Sequence, residues 1–175
     1  MSRAEDDVDR IVAQWAHERP ELRTEAMAVF GRIYRIARLV GDQQEAVYSG
    51  FGINRGDFDV LATLRRAGSP YSLSPKELTR SLMLTSGGMT GRLDRLEKRG
   101  LVARSPDPAD RRGLTITLTD AGRDLVDQAV GAGLDAQRRV LHRLPENDRS
   151  TLDRLLRDLL AASEPEQNKP EPDPR

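Results

Sequence analysis

Apolar residues recur at helical spacing along most of the 175 residues of the chain. In the segment "AMAVFGRIYRIARLV", a 3-4-3 spacing places four apolar residues on one face of a helix: Phe30, Ile33, Ala37 and Val40. This pattern is typical of a core helix, and a helix that buries the same face in a dimer interface would look identical. A shorter helix is expected to end ahead of Pro20, with the long helix starting just after it and Pro20 near its first turn.

Three further helices are predicted in the middle of the chain. "NRGDFDVLATLRRAG" is amphipathic and ends at Gly68. Ser74 and Glu77 form a capping box around Pro75, which marks the start of a short helix. The segment "TSGGMTGRLDRLEKRG" then predicts another helix, with Gly100 as its C-cap. The last two helices form a helix-turn-helix.

Two short strands and two helices are predicted after this pair. In "LTITLT", Leu114, Ile116 and Leu118 point to one side, and "LVARSP" is the preceding strand. Thr119 and Asp120 cap a long helix. The last helix carries a leucine stripe that is either intrachain core or a face buried against a partner: Leu152, Leu155, Leu156, Leu159 and Leu160.

The order of these elements predicts a mainly α fold with a small β-hairpin wing. Specifically, we expect a winged helix-turn-helix between N- and C-terminal dimerisation helices. An extra helix and a dimerisation helix would occupy residues 1–50, and the winged helix-turn-helix domain residues 51–120. C-terminal dimerisation helices would occupy 121–163, and a disordered tail rich in proline and charge 164–175.

The composition argues against several classes of function. The absence of cysteine excludes disulfides and thiolate catalysis. With only two histidines and no carboxylate pair or nucleophile at a motif spacing, we expect neither an enzyme nor a metal or other cofactor. The sequence has no apolar run near the roughly 18 residues of a membrane span, and its N-terminus has no hydrophobic signal region, so we expect a cytoplasmic protein.

The distribution of charge is more informative than its total. The net charge is zero, from 28 basic and 28 acidic residues. Between residues 76 and 112, however, nine Lys and Arg stand against five Asp and Glu, a local charge of +4. A neutral protein with a basic middle can meet a polyanion through that middle alone.

The second helix of a helix-turn-helix enters the DNA major groove with its N-terminus first. Small residues, hydroxyls and an arginine suit that position, and "TSGGMTGR" supplies all three. A glycine-rich turn without a ligand would look the same in isolation. The predicted DNA contacts of the two helices are Ser74, Lys76, Thr85, Ser86, Gly87, Thr90, Arg92 and Arg95.

The hairpin tip "PDPADRRG" strengthens the prediction of DNA binding. A thin hairpin with arginine at its tip reaches the narrow minor groove, where the potential is most negative. Arg111 and Arg112 lie at this tip. A basic loop is more often a solvated turn, but this one follows a capped helix-turn-helix at the spacing of a wing.

Residues 58–122 resemble the MarR family of winged-helix regulators. The segment "SPKELTRSLMLTSGGMTGRLDRLEKRGLVARSPDPADRRGLTITLTDAG" carries the resemblance, and Asp110-Arg111-Arg112 meets its wing pattern Asp-x-Arg. The similarity extends over about residues 8–162. It implies a homodimer that binds a palindromic site in double-stranded DNA, usually as a repressor released by a small ligand. It also implies that Arg112 enters the minor groove, steadied by Asp110, with Arg111 available for phosphate.

A narrower resemblance is to the urate-responsive branch of PecS- and MftR-like regulators. It rests on the added N-terminal helix with its tryptophan, on "GDFDVLATLRRAG" and on "SGGMTGRLDRLEKRGLV". It implies an anionic effector, such as urate or a related purine, and a ligand site of Trp15, Asp59, Arg92 and Arg104, with Asp57 as a second candidate for the aspartate. Relatives often carry Asn at the position of Gly91, which bears on a DNA contact and not on these residues.

The chemistry of this set suits a purine-like anion. Trp15 would stack on the ring, arginine would pair bidentately with its oxygens, and Asp59 would accept from a ring N–H or repel the anion. Each residue also has a plainer interpretation. Trp15 is typical of a core anchor, Asp59 of a charge on a helix face, and Arg92 of a DNA contact.

Two alternative functions follow from the same sequence. One is a MarR-type regulator that responds to phenolic or lipophilic compounds. The other is a helical dimeric protein-interaction module without sequence-specific DNA binding, whose wing binds an acidic partner. DNA binding predicts a steep dependence on salt and retention on a specific sequence over competitor DNA.

Overall fold

The computed structural model describes residues 5–82, 88–106 and 113–164. The described elements confirm the predicted mainly α fold with a small β-sheet. Their bounds are α1 Asp7–Glu18, α2 Glu25–Ser49, α3 Arg55–Arg66, β1 Ser72–Leu73, α4 Pro75–Ser81, α5 Met89–Lys98, β2 Val102–Pro106, β3 Leu114–Leu118, α6 Asp120–Leu141 and α7 Glu146–Ser163.

The chain divides into two compact units, residues 1–136 and 137–175. The first contains α1 to α5, the sheet and most of α6. The described part of the second contains the end of α6 and all of α7. Among the described residues, no helix combines the length and the apolar character needed to cross a membrane.

Helix α1 folds back on the first half of α2. Asp6 is its N-cap and forms a capping box with Asp9. The expectation that α2 starts just after Pro20 is wrong, because α2 begins at Glu25. The Leu22 N–H donates to the Arg19 carbonyl at 3.0 Å, so this part of the connection forms a turn that reverses the chain.

The core of the first unit lies between α3, α4, α5, the sheet and the first half of α6. It is mostly aliphatic, which matches an aromatic content of 4%. Tyr48 of α2 is the exception and stacks on Phe58 of α3 with ring centroids 3.9 Å apart. The largest fully buried side chains are Leu61, Leu64, Leu78, Leu96, Ile116, Val60, Val102 and Val126.

The predicted caps of the helix-turn-helix are confirmed in the described residues. Ser74 and Glu77 form the capping box of α4, with Pro75 as its first residue. Gly100, at φ +69°, follows the C-cap of α5 in the left-handed conformation that favours glycine. Gly88, at φ +73°, is the N-cap of α5. Gly88 therefore precedes the helix and does not weaken its interior.

The sheet has three antiparallel strands in the order β1-β3-β2. The wing strands pair from Val102↔Leu118 to Pro106↔Leu114. The predicted alternation in β3 is confirmed near the core, where Ile116 and Leu118 are buried. Leu114, at the outer end of the strand, is 48% exposed. Strand β1 pairs with β3 on the opposite side from β2 and was not predicted.

The base of the wing packs tightly against the start of α6. The Thr119 hydroxyl donates to the Gly100 carbonyl at 2.7 Å and accepts from the Gly122 N–H at 3.0 Å. Gly122 lies directly on the Leu101 carbonyl. A Cβ at Gly122 would overlap that oxygen and approach the Leu118 Cδ1 to 2.9 Å. This close approach requires glycine at position 122.

Candidate functional site

The start of α4 presents Lys76 to solvent while Ser74 is committed to the helix cap. The Ser74 hydroxyl donates to Glu77 Oε2 at 2.7 Å, and the Ser74 N–H donates to the same oxygen at 2.9 Å. These two bonds hold the pKa of Glu77 below its ordinary value, the side-chain bond contributing most. Ser74 therefore fixes the direction of α4, and Lys76 is the exposed cation beside it.

The outward face of α5 is open near its N-terminus. Thr90 and Gly91 are exposed. A Cβ at Gly91 would meet only the Arg95 Nη1, at 3.8 Å, so no backbone crowds this surface. Three predicted contacts just ahead of α5, Thr85, Ser86 and Gly87, lie outside the described residues.

Two arginines of α5 and the arginine at its C-cap reach the start of α3 and the turn before it. The guanidinium of Arg92 lies over Gly56, where an added Cβ would stand 2.8 Å from Nε. The Arg95 Nη2 donates to Asp57 Oδ1 at 2.8 Å. The Arg99 Nη1 donates to the Gly52 carbonyl at 2.6 Å. We call these three residues the arginine face of α5. At 100° per residue they lie within about 60° of one another around the helix axis.

Arg104 of β2 joins the wing to a different face of α5. Its Nη2 lies 2.6 Å from Asp94 Oδ1, and its Nη1 lies 3.3 Å from Glu97 Oε2. Asp94 and Glu97 point about 160° away from the arginine face of α5. Arg104 is thus already paired with two carboxylates. The predicted wing-tip residues Asp110, Arg111 and Arg112 lie outside the described residues.

Asp59 is buried on α3, one helical turn after Gly56. Only 5% of the residue is exposed. The pKa of Tyr48 is raised mainly by burial, and the negative charge of Asp59 raises it further. The positive charge of Arg55 lowers the same pKa. Residues three apart share a helix face. Asp59 therefore lies on the same side of α3 as Gly56, the residue that the Arg92 guanidinium covers.

Trp15 lies on α1. Helix α1 packs against the N-terminal half of α2, whereas the contact between α3 and α5 lies near the C-terminal end of α2. Acidic residues at the start of α1 pair with Arg32 and Arg35, and Val8 packs on Gly31. From Gly31 to Tyr48, α2 rises about 25 Å at 1.5 Å per residue. Because the helices are antiparallel, Trp15 stands about 10 Å further from Tyr48 than Val8 does. Its side chain is not in the core, since 42% of the residue is exposed.

The four predicted effector residues therefore occupy three places in the chain. Asp59 lies on α3 one helical turn from Gly56, and Arg92 of α5 contacts Gly56. Arg104 contacts the opposite side of α5, and Trp15 is on α1. The contact of Arg99 with the α2–α3 turn was not predicted from the sequence. The spacing of Arg92, Arg95 and Arg99 on one helix face was the available signal.

Comparison with known proteins agrees with this architecture. A family model described as the MarR family matches residues 51–113. The regulator PecS of Dickeya dadantii is 39% identical over 150 residues, covering 86% of this chain and 90% of PecS. The multiple antibiotic resistance protein MarR of Salmonella typhimurium is 29% identical over 131 residues, covering 72% of this chain and 89% of that protein.

Two related crystal structures contain DNA. Sco3205 of Streptomyces coelicolor, a MarR family regulator in complex with DNA, is 25% identical with a TM-score of 0.72, covering 85% of this chain and 97% of that one. A mutant MarR of E. coli complexed with operator DNA is 28% identical with a TM-score of 0.68, covering 80% and 99%.

These relatives are transcription regulators rather than enzymes, as predicted from the sequence. They also decide between a DNA-binding regulator and a protein-interaction module in favour of the former. The chain belongs to the MarR family of winged helix-turn-helix transcriptional regulators, in the branch that includes PecS.

Proposed function

We propose that this regulator binds a palindromic operator as a homodimer, acts as a repressor, and is released by a small anionic effector such as urate or a related purine. The observation that carries the effector proposal is the contact of Arg92, on the helix that would read DNA, with the α3 surface beside buried Asp59. An anion bound there touches α5 directly.

DNA would be contacted in three places. The N-terminal part of α5, with Thr90 exposed, would enter the major groove, helped by Arg92 and the three residues ahead of Gly88. Lys76, with Ser74 beside it, would contact phosphate at the start of α4. At the wing tip, Arg112 would enter the minor groove, Asp110 would steady it, and Arg111 would pair with phosphate.

The homodimer is supported by apolar side chains that the single chain leaves exposed. On α2, Val29 is 50% exposed, Ile36 58% and Leu39 47%. On α7, Leu155 is 51% exposed and Leu160 65%. A second copy that covers these helices would remove the exposed apolar surface from water.

An effector acts only if it binds one state of the protein better than the other. A planar anion can pair bidentately with the Arg92 guanidinium, and its ring N–H can donate to Asp59. Binding at this guanidinium would change how α5 rests on α3. For Trp15 and Arg104 to contact the same effector, a second subunit must bring its own residues to the site.

A gel-shift experiment tests this function. The purified protein is mixed with DNA from its own upstream region or with a scrambled duplex of equal length, with and without urate, xanthine or salicylate. We expect selective retention of the upstream DNA and release by urate or xanthine. Equal retention of both duplexes contradicts the operator proposal. Release by salicylate alone favours the alternative of a phenolic effector.

A further inference from the structure

Asp57 is a buried carboxylate in the first turn of α3. Its side chain is 7% exposed. Its N–H donates to Asn54 Oδ1, the N-cap of the helix, at 2.8 Å. A carboxylate in this position is costly to bury unless it is paired, and the N-terminal end of a helix stabilises its charge. The position of Asp57 is therefore fixed by the helix that carries it.

Arg95 of α5 is the ion-pair partner of Asp57. Its Nη2 lies 2.8 Å from Asp57 Oδ1, while 53% of the Arg95 side chain stays exposed. The neighbouring members of the arginine face of α5 contact the same segment, Arg92 at Gly56 and Arg99 at the Gly52 carbonyl. The contacts cover two turns of the helix, with Arg95 as the central one.

We propose that Asp57 is a positioning residue for the helix that reads the operator. It holds Arg95, and through Arg95 it fixes the rotation of α5 about its own axis, so that Thr90 and the start of the helix face outward. The inference rests on the operator binding proposed above and not on the identity of the effector. It assigns Arg95 a role inside the protein, in contrast to the direct DNA contact expected from the sequence.

The two roles of Arg95 predict opposite effects of Asp57→Asn. If Asp57 positions α5, the loss of its charge weakens binding to the operator, because α5 is less well oriented. If Arg95 contacts a phosphate, the same change frees a cation for DNA, and binding to the operator stays equal or becomes tighter. Asparagine has nearly the shape of aspartate and keeps an oxygen that can accept from Arg95.

The test is a double-mutant cycle with Asp57→Asn, Arg95→Gln and the double variant. Dissociation constants are measured for the operator and for a scrambled duplex over a series of salt concentrations. We expect each variant, and the double variant, to bind the operator about tenfold more weakly, as for a lost charged hydrogen bond. Binding to the scrambled duplex should change less than about twofold, and the salt slope should not change, since no phosphate contact is lost.

Asp127→Asn is the matched control. Asp127 pairs with Arg65 of α3 at 2.8 Å. The substitution therefore removes an ion pair of α3 that does not involve α5. We expect it to bind the operator like the unmodified protein. Arg95 is half exposed, so Arg95→Gln should fold even if Asp57→Asn does not, and its salt slope then decides the question. A slope reduced by about 0.9 would make Arg95 a phosphate contact and overturn the inference.

Equal or tighter operator binding by Asp57→Asn also overturns it. Failure of the proposed function has a different signature, because the unmodified protein itself would then show no preference for the operator over the scrambled duplex. That result would remove the basis of this inference as well. If the unmodified protein prefers the operator and all three variants show the same preference, the role of Asp57 is refuted and the proposed function stands.

Discussion

The Arg92 guanidinium of α5 rests on Gly56 of α3. An added Cβ at Gly56 would stand 2.8 Å from Nε and 2.9 Å from Cζ. The atoms that would be displaced belong to the end of a flexible side chain. A methyl group here therefore moves the guanidinium and leaves the helix packing in place.

Gly56→Ala should reduce the response to the effector without unfolding the protein. We expect the free energy of unfolding to change by less than about 1 kcal/mol, because the better helix propensity of alanine offsets the crowding. Calorimetric titration with urate should give an affinity about tenfold weaker, as for a misplaced charged contact. Gly131→Ala is the control, since a Cβ at Gly131 meets nothing within 4 Å. Unchanged urate affinity in Gly56→Ala would exclude Arg92 as the anion contact.

Gly122→Ala should be strongly destabilising. Its methyl group would overlap the Leu101 carbonyl oxygen and press on Leu118 Cδ1 at 2.9 Å, and both belong to the base of the wing. Crowding against backbone is not relieved by a rotamer change, so we expect a loss of about 3 kcal/mol in a urea unfolding experiment. Gly131→Ala should by contrast gain up to about 1 kcal/mol. Equal stability of the two variants would contradict the packing described for α6.

Arg104→Gln should weaken operator binding more than it weakens the fold. It removes two ion pairs between β2 and α5, whose acidic partners are about half exposed. Such pairs contribute little to stability, so the loss on unfolding should be below about 1 kcal/mol. The wing would then be less firmly oriented, and gel-shift affinity should fall several-fold. Arg123→Gln breaks the exposed pair with Asp120 and should bind normally.

Acid should loosen α1 before the rest of the chain. Bonds from backbone N–H groups, and then Arg32, hold the pKa values of Asp6 and Asp9 below 3.8. Groups with a depressed pKa stabilise the fold above their unfolded pKa, and this contribution is lost as the pH falls through the folded pKa. The change should therefore lie below pH 3.8. Trp15, the single tryptophan, reports it by fluorescence.

Variants separate this local change from global unfolding. Asp9→Asn should give, already at neutral pH, part of the tryptophan emission change that the unmodified protein shows only in acid. Glu21→Gln breaks only a pair with Arg19 in the turn after α1 and should behave like the unmodified protein. If tryptophan emission and far-ultraviolet circular dichroism change together in every variant, α1 is not a separately loosening element.

Trp15→Phe should weaken the effector response and spare operator binding. Phenylalanine keeps an aromatic face but offers a smaller stacking surface. The operator affinity should stay within about twofold, because α1 lies outside the helix-turn-helix. Ile11→Val, a change on the same helix at a residue that is 46% exposed, is the control. An unaltered urate titration in Trp15→Phe would remove Trp15 from the proposed effector site.

The sequence was sufficient for the caps and for most of the element order. Ser74, Pro75 and Glu77 define the start of α4 by chemistry local to four residues, and Gly100 marks the end of α5 in the same way. Strand β1 has only two residues, too few for a periodic pattern, and it exists because it pairs with β3. Ser72 of β1 pairs with Thr117 of β3, which is 45 residues further along the sequence, and their hydroxyls lie 2.8 Å apart.

The candidate site was harder to predict than the fold. The sequence pattern of an arginine on an amphipathic helix is the same whether the side chain contacts DNA, a carboxylate or a carbonyl. The contacts of Arg95 with Asp57 and of Arg99 with Gly52 could therefore be identified only from the tertiary structure. The separation of Trp15 from Asp59 depends on the direction in which α1 packs along α2. Hydrophobic periodicity alone does not specify which parts of the two helices lie beside each other.

The strand order β1-β3-β2 has a consequence for induction. The wing hairpin shares a sheet with the strand that leads directly into α4, and Arg104 ties its first strand to α5. The described strands of the wing cannot move relative to α4 and α5 without breaking these bonds. In the proposed operator complex, the wing and the helix-turn-helix would therefore move together. The steepness of an induction curve would then measure coupling between the two subunits rather than partial release of one subunit.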